Sequence, residues 1–439
     1  MTTSHFETLP ITDIAQILPF EDVKSLSLVS RVMRDAVRRP LFSGTLSITC
    51  PVSPDRDLDG HINKYGEFIS RLHFNINLEL NPYGTTRKEK VLSRASLIWG
   101  TSSGDTIKSI IRGEALSHID TLSVKFNVNQ FVDDNDGWGH RAGSIHVFEY
   151  SEHPQEVYKE EQKLIWRAQY TEVWNQIAAN PNIKKMKISN LLPKLSSAWY
   201  TDEWETFLGR LEDLDISIFG GDNGAGWEAQ RMEGFAGFSE DLSTFMMQHA
   251  INVTRLRVEA HEHDLLGRCY LNDVPLPFEN AQLPALCRLE LERIMVSGGL
   301  LDFLEGRADI LQEIKLHDCM CCCESGNPSW ADLWKLIREV NTNVNNISHS
   351  QSETPPLADP VPFVYTGETL PDSEEAAEIR ELLKQDKGLV LWRYVEIDDK
   401  YGFIIERSDE NVERSVEGRD QLEYTMLLEE LEKRRKKGL

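Results

Sequence analysis

The chain has 439 residues, of which 40% are hydrophobic and 27% are charged, and its formal net charge is −24. This size allows a large core, and the composition is ordinary for a globular protein. The charge disfavours nucleic acid and anionic membrane as partners, because both are negative themselves. No segment approaches the roughly 20 apolar residues that span a bilayer. The start carries no secretory signal, so we expect a cytoplasmic or nuclear protein with reduced cysteines.

The first 42 residues contain three short segments with apolar residues at helical spacing. These apolar positions are, in chain order, Ile14, Ile17 and Leu18, then Val23 and Leu26, then Val29, Met33, Ala36 and Val37. Pro19 ends the first predicted helix, and Pro40 follows the third. Three helices this short cannot bury their own apolar faces, so we expect them to pack against a partner or against the rest of the chain.

A spacing of three apolar residues recurs through residues 43–325, with the second residue three positions and the third five positions after the first. The seven copies begin at Ile69, Ile119, Ile183, Leu211, Val253, Leu286 and Leu311. Helical patterns separate the copies, and one of them places Trp166, Tyr170 and Trp174 on a single face. One short strand per unit, alternating with helix, predicts an α/β fold with parallel strands stacked as an irregular solenoid.

This spacing resembles the leucine-rich repeat. In that repeat the ninth position turns the chain inward, and Asn or Cys there can bond to neighbouring backbone. Asn77 and Asn127 take this position in two copies, and Cys319 takes it in the last copy. Cys321 then takes the final position, which is normally Leu. Residues 43–345 are therefore predicted to form an irregular leucine-rich-repeat solenoid.

The C-terminal part is predicted to contain a linker and a small α+β unit. Residues 346–374 are rich in Ser, Pro, Asn and Asp, which favours a mobile linker. Residues 375–439 contain two predicted strands joined near Asp398, followed by a helix. The basic run Lys433–Lys437 at the end of this helix fits either the helix dipole or a nuclear import signal.

Four cysteines lie close together in the segment from Cys319 to Cys323. No second Cys or His pair lies nearby to complete a zinc site, and Cys319 with Cys322 does not stand at a predicted helix start as a redox pair would, so we expect a strand end and loop without a metal. His261 and His263 alternate beside Glu262 and Asp264, and a surface strand explains the two histidines better than a pair of metal ligands. Because no dinucleotide, calcium or nucleophile motif is complete, we expect no cofactor and no enzymatic activity.

The N-terminal segment resembles an F-box. The residues that carry the resemblance are Leu9-Pro10, the run "LSLVS" at 26–30 and "RVMRDAV" at 31–37. Together with the repeats, they make the chain similar to filamentous-fungal F-box proteins. The resemblance implies a three-helix F-box in residues 1–42 that binds a Skp-type adaptor and, through it, a cullin scaffold. It also implies that the chain is a substrate-recognition subunit of a ubiquitin ligase. The alternative is a leucine-rich-repeat interaction scaffold without ligase assembly.

Two sets of binding residues are predicted. The expected adaptor-binding residues are Leu9, Pro10, Ile14, Ile17, Leu18, Val23, Leu26, Leu28 and Val29. A protein substrate of unknown identity is expected on the concave face of the solenoid, where residues alternating with the buried ones point outward. In that row we single out Arg257 and Lys315. Two glycine-rich insertions add Trp138 and Trp227 as possible anchors at the rim.

Overall fold

A large parallel β-sheet forms the centre of the protein. The computed structural model describes residues 20–31, 33, 44–55, 57–80, 88–132, 147–148, 153–222, 226–270, 272–358 and 373–437. The strands in these ranges are β1 (Thr45–Cys50), β2 (Arg71–Ile76), β3 (Thr121–Phe126), β4 (Lys185–Leu191), β5 (Asp213–Ile218), β6 (Arg255–Glu259), β7 (Arg288–Glu292), β8 (Met295–Val296), β9 (Glu313–His317), β10 (Met320–Cys322), β11 (Asn346–Ser350), β12 (Tyr394–Ile397) and β13 (Ile404–Glu406).

Helices lie in most of the connections between these strands. They are α1 (Phe20–Val29), α2 (Leu58–Tyr65), α3 (Lys88–Ala95), α4 (Gly104–Ile111), α5 (Asn129–Val132), α6 (Pro154–Lys163), α7 (Ile165–Ala178), α8 (Asp202–Leu208), α9 (Glu233–Leu242), α10 (Gly298–Glu305), α11 (Trp330–Glu339), α12 (Glu374–Gln385), α13 (Ser408–Glu417) and α14 (Arg419–Lys437). The predicted helix with Trp166, Tyr170 and Trp174 is α7, and all three side chains are buried.

The main sheet has nine strands in the order β1-β2-β3-β4-β5-β6-β7-β9-β11, and every pair is parallel. The order follows the chain because each connection leads to the next strand in space. Seven of these strands, β2 to β7 and β9, are those that the apolar spacing predicted. The α/β class and the parallel sheet are therefore confirmed. The assignments to the F-box and leucine-rich-repeat families stay predictions.

The apolar spacing did not predict two strands, β1 and β11, which lie at the two edges of the sheet. β1 follows Ser43, and β11 contains His349, so an apolar residue is missing from the pattern in each case. The predicted linker of residues 346–374 is consequently wrong at its start, because Asn346–Ser350 pairs with β9 as a full strand. Leu357 is buried as well. Residues 359–372 of the predicted linker lie outside the described part of the chain.

The predicted inward turns are formed by polar groups that bond between neighbouring units. The Asn127 side chain donates a hydrogen bond to Oδ1 of Asn77 at 2.9 Å, and the Asn77 backbone N–H donates to the Cys50 carbonyl at 2.9 Å. Cys319 is 1% exposed, and its Sγ lies 3.5 Å from the Leu291 carbonyl. The bonds to the Cys50 and Leu291 carbonyls satisfy backbone groups that the turns would otherwise bury without a partner. The leucine-rich-repeat assignment from which the ninth position was predicted stays a prediction.

The C-terminal segment is part of the main core, contrary to the prediction of a separate small unit. β12 and β13 form the predicted antiparallel hairpin, and β12 also pairs in parallel with β10. Trp392, Tyr394 and Leu427 pack into the same apolar cluster as the main sheet. Helix α14 lies against α11, where Arg434 is 4% exposed and donates to the backbone carbonyls of Arg338, Asn341 and Val344.

Helix α1 carries the described part of the predicted F-box. Val23 is buried, Leu26 is half-buried, and Leu28 and Val29 are 74% and 70% exposed. Val29 is the last residue of α1, whereas the spacing predicted it as the first apolar residue of the next helix. Instead, the Ser30 side chain accepts a hydrogen bond from the Met33 N–H at 3.1 Å and so caps the following turn. The other predicted adaptor-binding residues, Leu9, Pro10, Ile14, Ile17 and Leu18, lie outside the described residues.

Candidate functional site

The face of the sheet opposite its buried side chains is polar, and the strand register sorts it into rows. One row contains the outward positions predicted from the spacing, which are His73, Ser123, Lys187, Asp215, Arg257, Glu290 and Lys315. The register adds Ser47 of β1 at one end of this row and Ser348 of β11 at the other. Neighbours in this row interact across strands. His73 bonds to Ser123 at 3.0 Å, and Lys187 donates to Asp215 at 2.9 Å.

Arg257 is the centre of an ion-pair network on this face. Its guanidinium lies 3.0 Å from Asp215, 2.9 Å from Glu259 and 3.1 Å from Glu290, and it also pairs with Glu292. The side chain is only 14% exposed. Burial alone would lower the pKa of Arg257, but the surrounding carboxylates raise it. Its donors are therefore engaged inside the protein, and a substrate contact would have to displace one of these partners.

Two further arginines complete what we call the arginine network. Its members are Arg255, Arg257 and Arg293 with Asp213, Asp215, Glu259, Glu290 and Glu292. Lys315, the other basic residue predicted to contact substrate, is not part of it. Its side chain is 46% exposed and lies 3.5 Å from Glu313. Of the two predicted basic contacts, Lys315 is thus the more accessible.

A cavity of about 450 Å³ lies next to the arginine network, where β6, β7, β9 and β11 end. The hairpin of β12 and β13 supplies its opposite wall. Five carboxylates line it, namely those of Glu228, Glu262, Asp318, Glu353 and Glu406. Two guanidinium groups, from Arg293 and Arg393, also reach it. We call this cavity the acidic cavity.

The carboxylates of the acidic cavity are unequally paired. Arg393 lies 3.1 Å from Glu406 and 4.0 Å from Asp318. Glu228, in contrast, is 6% exposed, and its Oε2 has no hydrogen-bond partner among the described residues. Burial raises the pKa of the Glu228 carboxyl above its usual value. An ionised carboxylate at this position has no arginine or lysine counter-charge among the described residues, and only the imidazole of His263 lies near enough to favour its charged form.

Aromatic side chains form the rim of the acidic cavity. Trp227, predicted as a substrate anchor, is 38% exposed, and its ring lies 6.0 Å from that of Tyr401. The Tyr401 ring lies 5.7 Å from that of Phe403, which is 44% exposed and lines the cavity. The Glu228 N–H donates to the Tyr401 carbonyl at 2.8 Å, which fixes the loop to the hairpin. Trp138 lies outside the described residues.

Behind the acidic cavity, Asp264 is completely buried. Its carboxylate accepts a hydrogen bond from the Gly221 N–H, while Oδ1 has no partner in the described part of the chain. Burial raises the pKa of Asp264 to about 8. The only sequence signal is that Asp264 precedes Leu265 and Leu266, which are also fully buried.

The cysteine run is built into the fold. Cys321 and Cys322 belong to β10 and are buried, and burial raises the pKa of Cys319 to about 12 and that of Cys323 to about 11. Thiols with such pKa values hold their protons at neutral pH and are poor nucleophiles. Within the described ranges, no three His, Cys, Asp or Glu side chains are grouped so that they could hold a metal ion.

A scan against protein-family models gave no match to this sequence, and a search of curated proteins found no significantly similar one. In the described part of the chain, no helix combines the length and apolar character needed to cross a membrane. Function must therefore be inferred from the fold and the sites of this chain alone.

Proposed function

We propose that the protein is the substrate-recognition subunit of a Skp-cullin-F-box type ubiquitin ligase. In this proposal the N-terminal helices bind the adaptor, and the polar face of the sheet holds a protein substrate. The supporting observation is the pair of neighbouring aliphatic side chains Leu28 and Val29, which are 74% and 70% exposed at the end of α1. They belong to the "LSLVS" run that resembles an F-box.

An apolar pair in this position suits a protein partner. Single exposed apolar residues are common on protein surfaces and need no explanation. Leu28 and Val29, however, are adjacent, and Val23 on the same helix is turned into the protein. A partner that covered both exposed side chains would remove apolar area from water, which is the main favourable term in such contacts.

The polar face of the sheet suits recognition without chemistry. The polar face offers carboxylates, guanidinium groups and hydroxyls over nine strands. The ligase hypothesis requires only that this face binds a target, because holding the target close to an enzyme that carries ubiquitin raises its effective concentration. The repeats would then act as a leucine-rich-repeat receptor and the chain as a non-enzymatic subunit.

A second candidate function is an interaction scaffold that does not assemble with a ligase. It is favoured by Val23, which is only 3% exposed. This residue belongs to the predicted adaptor surface, yet the chain itself already covers it. If the protein is such a scaffold, the N-terminal helices serve as a cap on the sheet, and the polar face remains the binding surface.

Co-purification distinguishes the two functions. The tagged full-length protein is compared with the variant Leu28→Asp/Val29→Asp, and adaptor and cullin are quantified by mass spectrometry. We expect the double variant to lose at least about nine-tenths of both proteins, since apolar anchors dominate such contacts. Leu382→Asp is the matched control, because Leu382 is also exposed, at 52%, but lies on α12.

Recovery that is equal for the wild type and the Leu28→Asp/Val29→Asp variant contradicts the ligase proposal. Absence of adaptor and cullin from the wild type contradicts it as well. Either result favours the scaffold. Because both substituted side chains are exposed, the variant should unfold at the same temperature as the wild type, and this is checked by circular dichroism.

A further inference from the structure

The acidic cavity has the position and size of a ligand site. It lies beyond the carboxyl ends of four parallel strands, the edge at which open α/β sheets commonly bind ligands. Its volume of about 450 Å³ falls in the usual range for small-molecule pockets. Loop 226–231 and the β12–β13 hairpin are fastened together over it, since Arg231 donates to the Asp398 carbonyl at 2.7 Å. The walls are therefore preformed.

The charge of this cavity is unbalanced. Five carboxylates face two guanidinium groups and the imidazole of His263, which lies 3.5 Å from Glu262. Arg293 is already engaged by Glu259 and Glu292 of the arginine network. Glu228, which is buried, and Glu353, which is exposed at the mouth of the cavity, have no arginine or lysine partner among the residues that the structure describes. The buried Oε2 of Glu228 also lacks any hydrogen bond there. A buried carboxylate left in this state destabilises the folded protein, and a bound cation would reverse that effect.

The lining of the acidic cavity suits an organic cation better than a metal ion. A metal ion needs several ligand atoms at short distance, and no such group of three occurs in the described ranges. The carboxylates are instead spread around a cavity whose lining includes Phe403 and whose rim carries Tyr401. Separated carboxylates and an aromatic face suit a planar guanidinium, which donates in several directions and stacks on aromatic rings.

We propose that the acidic cavity binds an organic cation with a guanidinium group. Glu228 and Glu353 accept hydrogen bonds from this group, and Phe403 packs against its stem. The source of the group is either an arginine side chain of a protein or a small guanidinium compound. This site is independent of adaptor binding, and failure of either proposal leaves the other untouched.

Calorimetry with defined probes tests the proposal on the full-length protein. The probes are agmatine, a blocked Gly-Arg-Gly peptide and the same peptide with citrulline, which has the shape of arginine without its charge. We expect agmatine or the arginine peptide to bind with a Kd of roughly 1 mM or tighter, and the citrulline peptide to bind at least about tenfold more weakly. Tighter binding of the peptide indicates a protein source, and tighter binding of agmatine indicates a small molecule.

Two isosteric variants locate the site. Glu228→Gln/Glu353→Gln should weaken the binding of the better probe by roughly tenfold to a hundredfold, because two charge-assisted hydrogen bonds lose their charge. Glu378→Gln, an exposed residue on α12, is the matched control and should bind like the wild type. Thermal unfolding checks that all variants are folded.

Three results overturn the proposal. The first is no detectable heat with either guanidinium probe up to about 10 mM. The second is equal affinity for the arginine and citrulline peptides, since the charge would then play no part. The third is unchanged affinity in a folded Glu228→Gln/Glu353→Gln variant, which would place any binding elsewhere.

Discussion

Two neighbouring acidic regions at one end of the sheet differ in how their charges are paired. In the arginine network every carboxylate lies within 4 Å of a guanidinium, and Arg257 alone contacts four of them. In the acidic cavity, Glu228 and Glu353 have no such partner among the described residues. Arg293 belongs to the arginine network and also lines the acidic cavity. The difference in charge pairing therefore does not arise because the two regions are far apart.

This difference separates a structural role from a binding role. A buried charge that has its partner is held in one arrangement, and removal of either member leaves the other uncompensated. A buried charge without a partner, such as an ionised Glu228, destabilises the free protein, and a bound ligand of opposite charge would compensate it. Arg257 therefore belongs to the framework of the polar face, while the acidic cavity is the place for a ligand.

The sharpest test of the paired region is Arg257→Met. This change keeps the apolar length of the side chain but leaves four carboxylates without their shared cation. We expect the free energy of unfolding to fall by about 3–5 kcal/mol, as for other broken buried ion pairs. Urea denaturation monitored by circular dichroism measures it.

Arg268→Met is the control for this experiment. Arg268 pairs with Glu240, but both side chains are about 60% exposed, so the loss should stay below about 1 kcal/mol. A similar small loss for Arg257→Met would show that its four contacts contribute little and would remove the contrast between the two regions.

The buried carboxylate behind the acidic cavity is tested by the pH dependence of Asp264→Asn. Burial raises the pKa of Asp264 to about 8 in the folded protein, whereas an unfolded chain has an aspartate pKa of about 3.9. Between these values the folded state binds more protons than the unfolded state. Stability is therefore lost as the pH rises towards about 8, and it is regained as the pH falls.

Asp264→Asn removes this titration while it keeps the oxygen that accepts the Gly221 N–H. Relative to the variant, the wild type should lose up to about 1.4 kcal/mol of unfolding free energy per pH unit between about pH 5 and about pH 8. Glu228 and His261 face Asp264 as well, so urea denaturation is repeated at several pH values for both proteins. Parallel stability curves would mean that Asp264 is ionised when folded and that its burial is compensated.

Much of the fold could be predicted from the sequence because strand burial repeats. Leu72, Leu122 and Leu289 recur at the same point of their units, and the register places them in one buried row. The two edge strands do not follow this pattern, because each lacks one of its apolar residues. In β11 the core position is filled by His349, whose ring lies 4.9–6.0 Å from those of Trp330, Trp334 and Trp392. Burial lowers the pKa of His349 to about 4, so a neutral imidazole ring takes the place that an aliphatic side chain has in the inner strands.

The candidate site was less predictable, because charge pairing depends on residues far apart in the chain. The period of the strands placed Arg257 outward and in register with Asp215 and Glu290, yet no local signal shows that its donors are all engaged. Trp227 was identified as an anchor from its glycine-rich loop. The neighbouring Glu228 was not, since its environment is created by a hairpin more than 160 residues later.

The smallest expected effect comes from Lys315→Glu, which tests whether exposure separates the two kinds of charge on the polar face. Lys315 lies in the same row as Arg257 and next to Glu290, but its side chain is 46% exposed and its ion pair with Glu313 is 3.5 Å long. Water and salt screen such a pair, so the reversal of charge should change the unfolding free energy by less than about 1 kcal/mol.

Lys315 does not line the acidic cavity, so Lys315→Glu should also leave guanidinium binding unchanged in calorimetry. The stability effect is measured by urea denaturation at low and at high salt, where screening should shrink it further. A loss comparable to that of Arg257→Met would mean that position in the row, and not burial, determines how much each cation contributes. The paired and the unpaired regions would then differ in location alone.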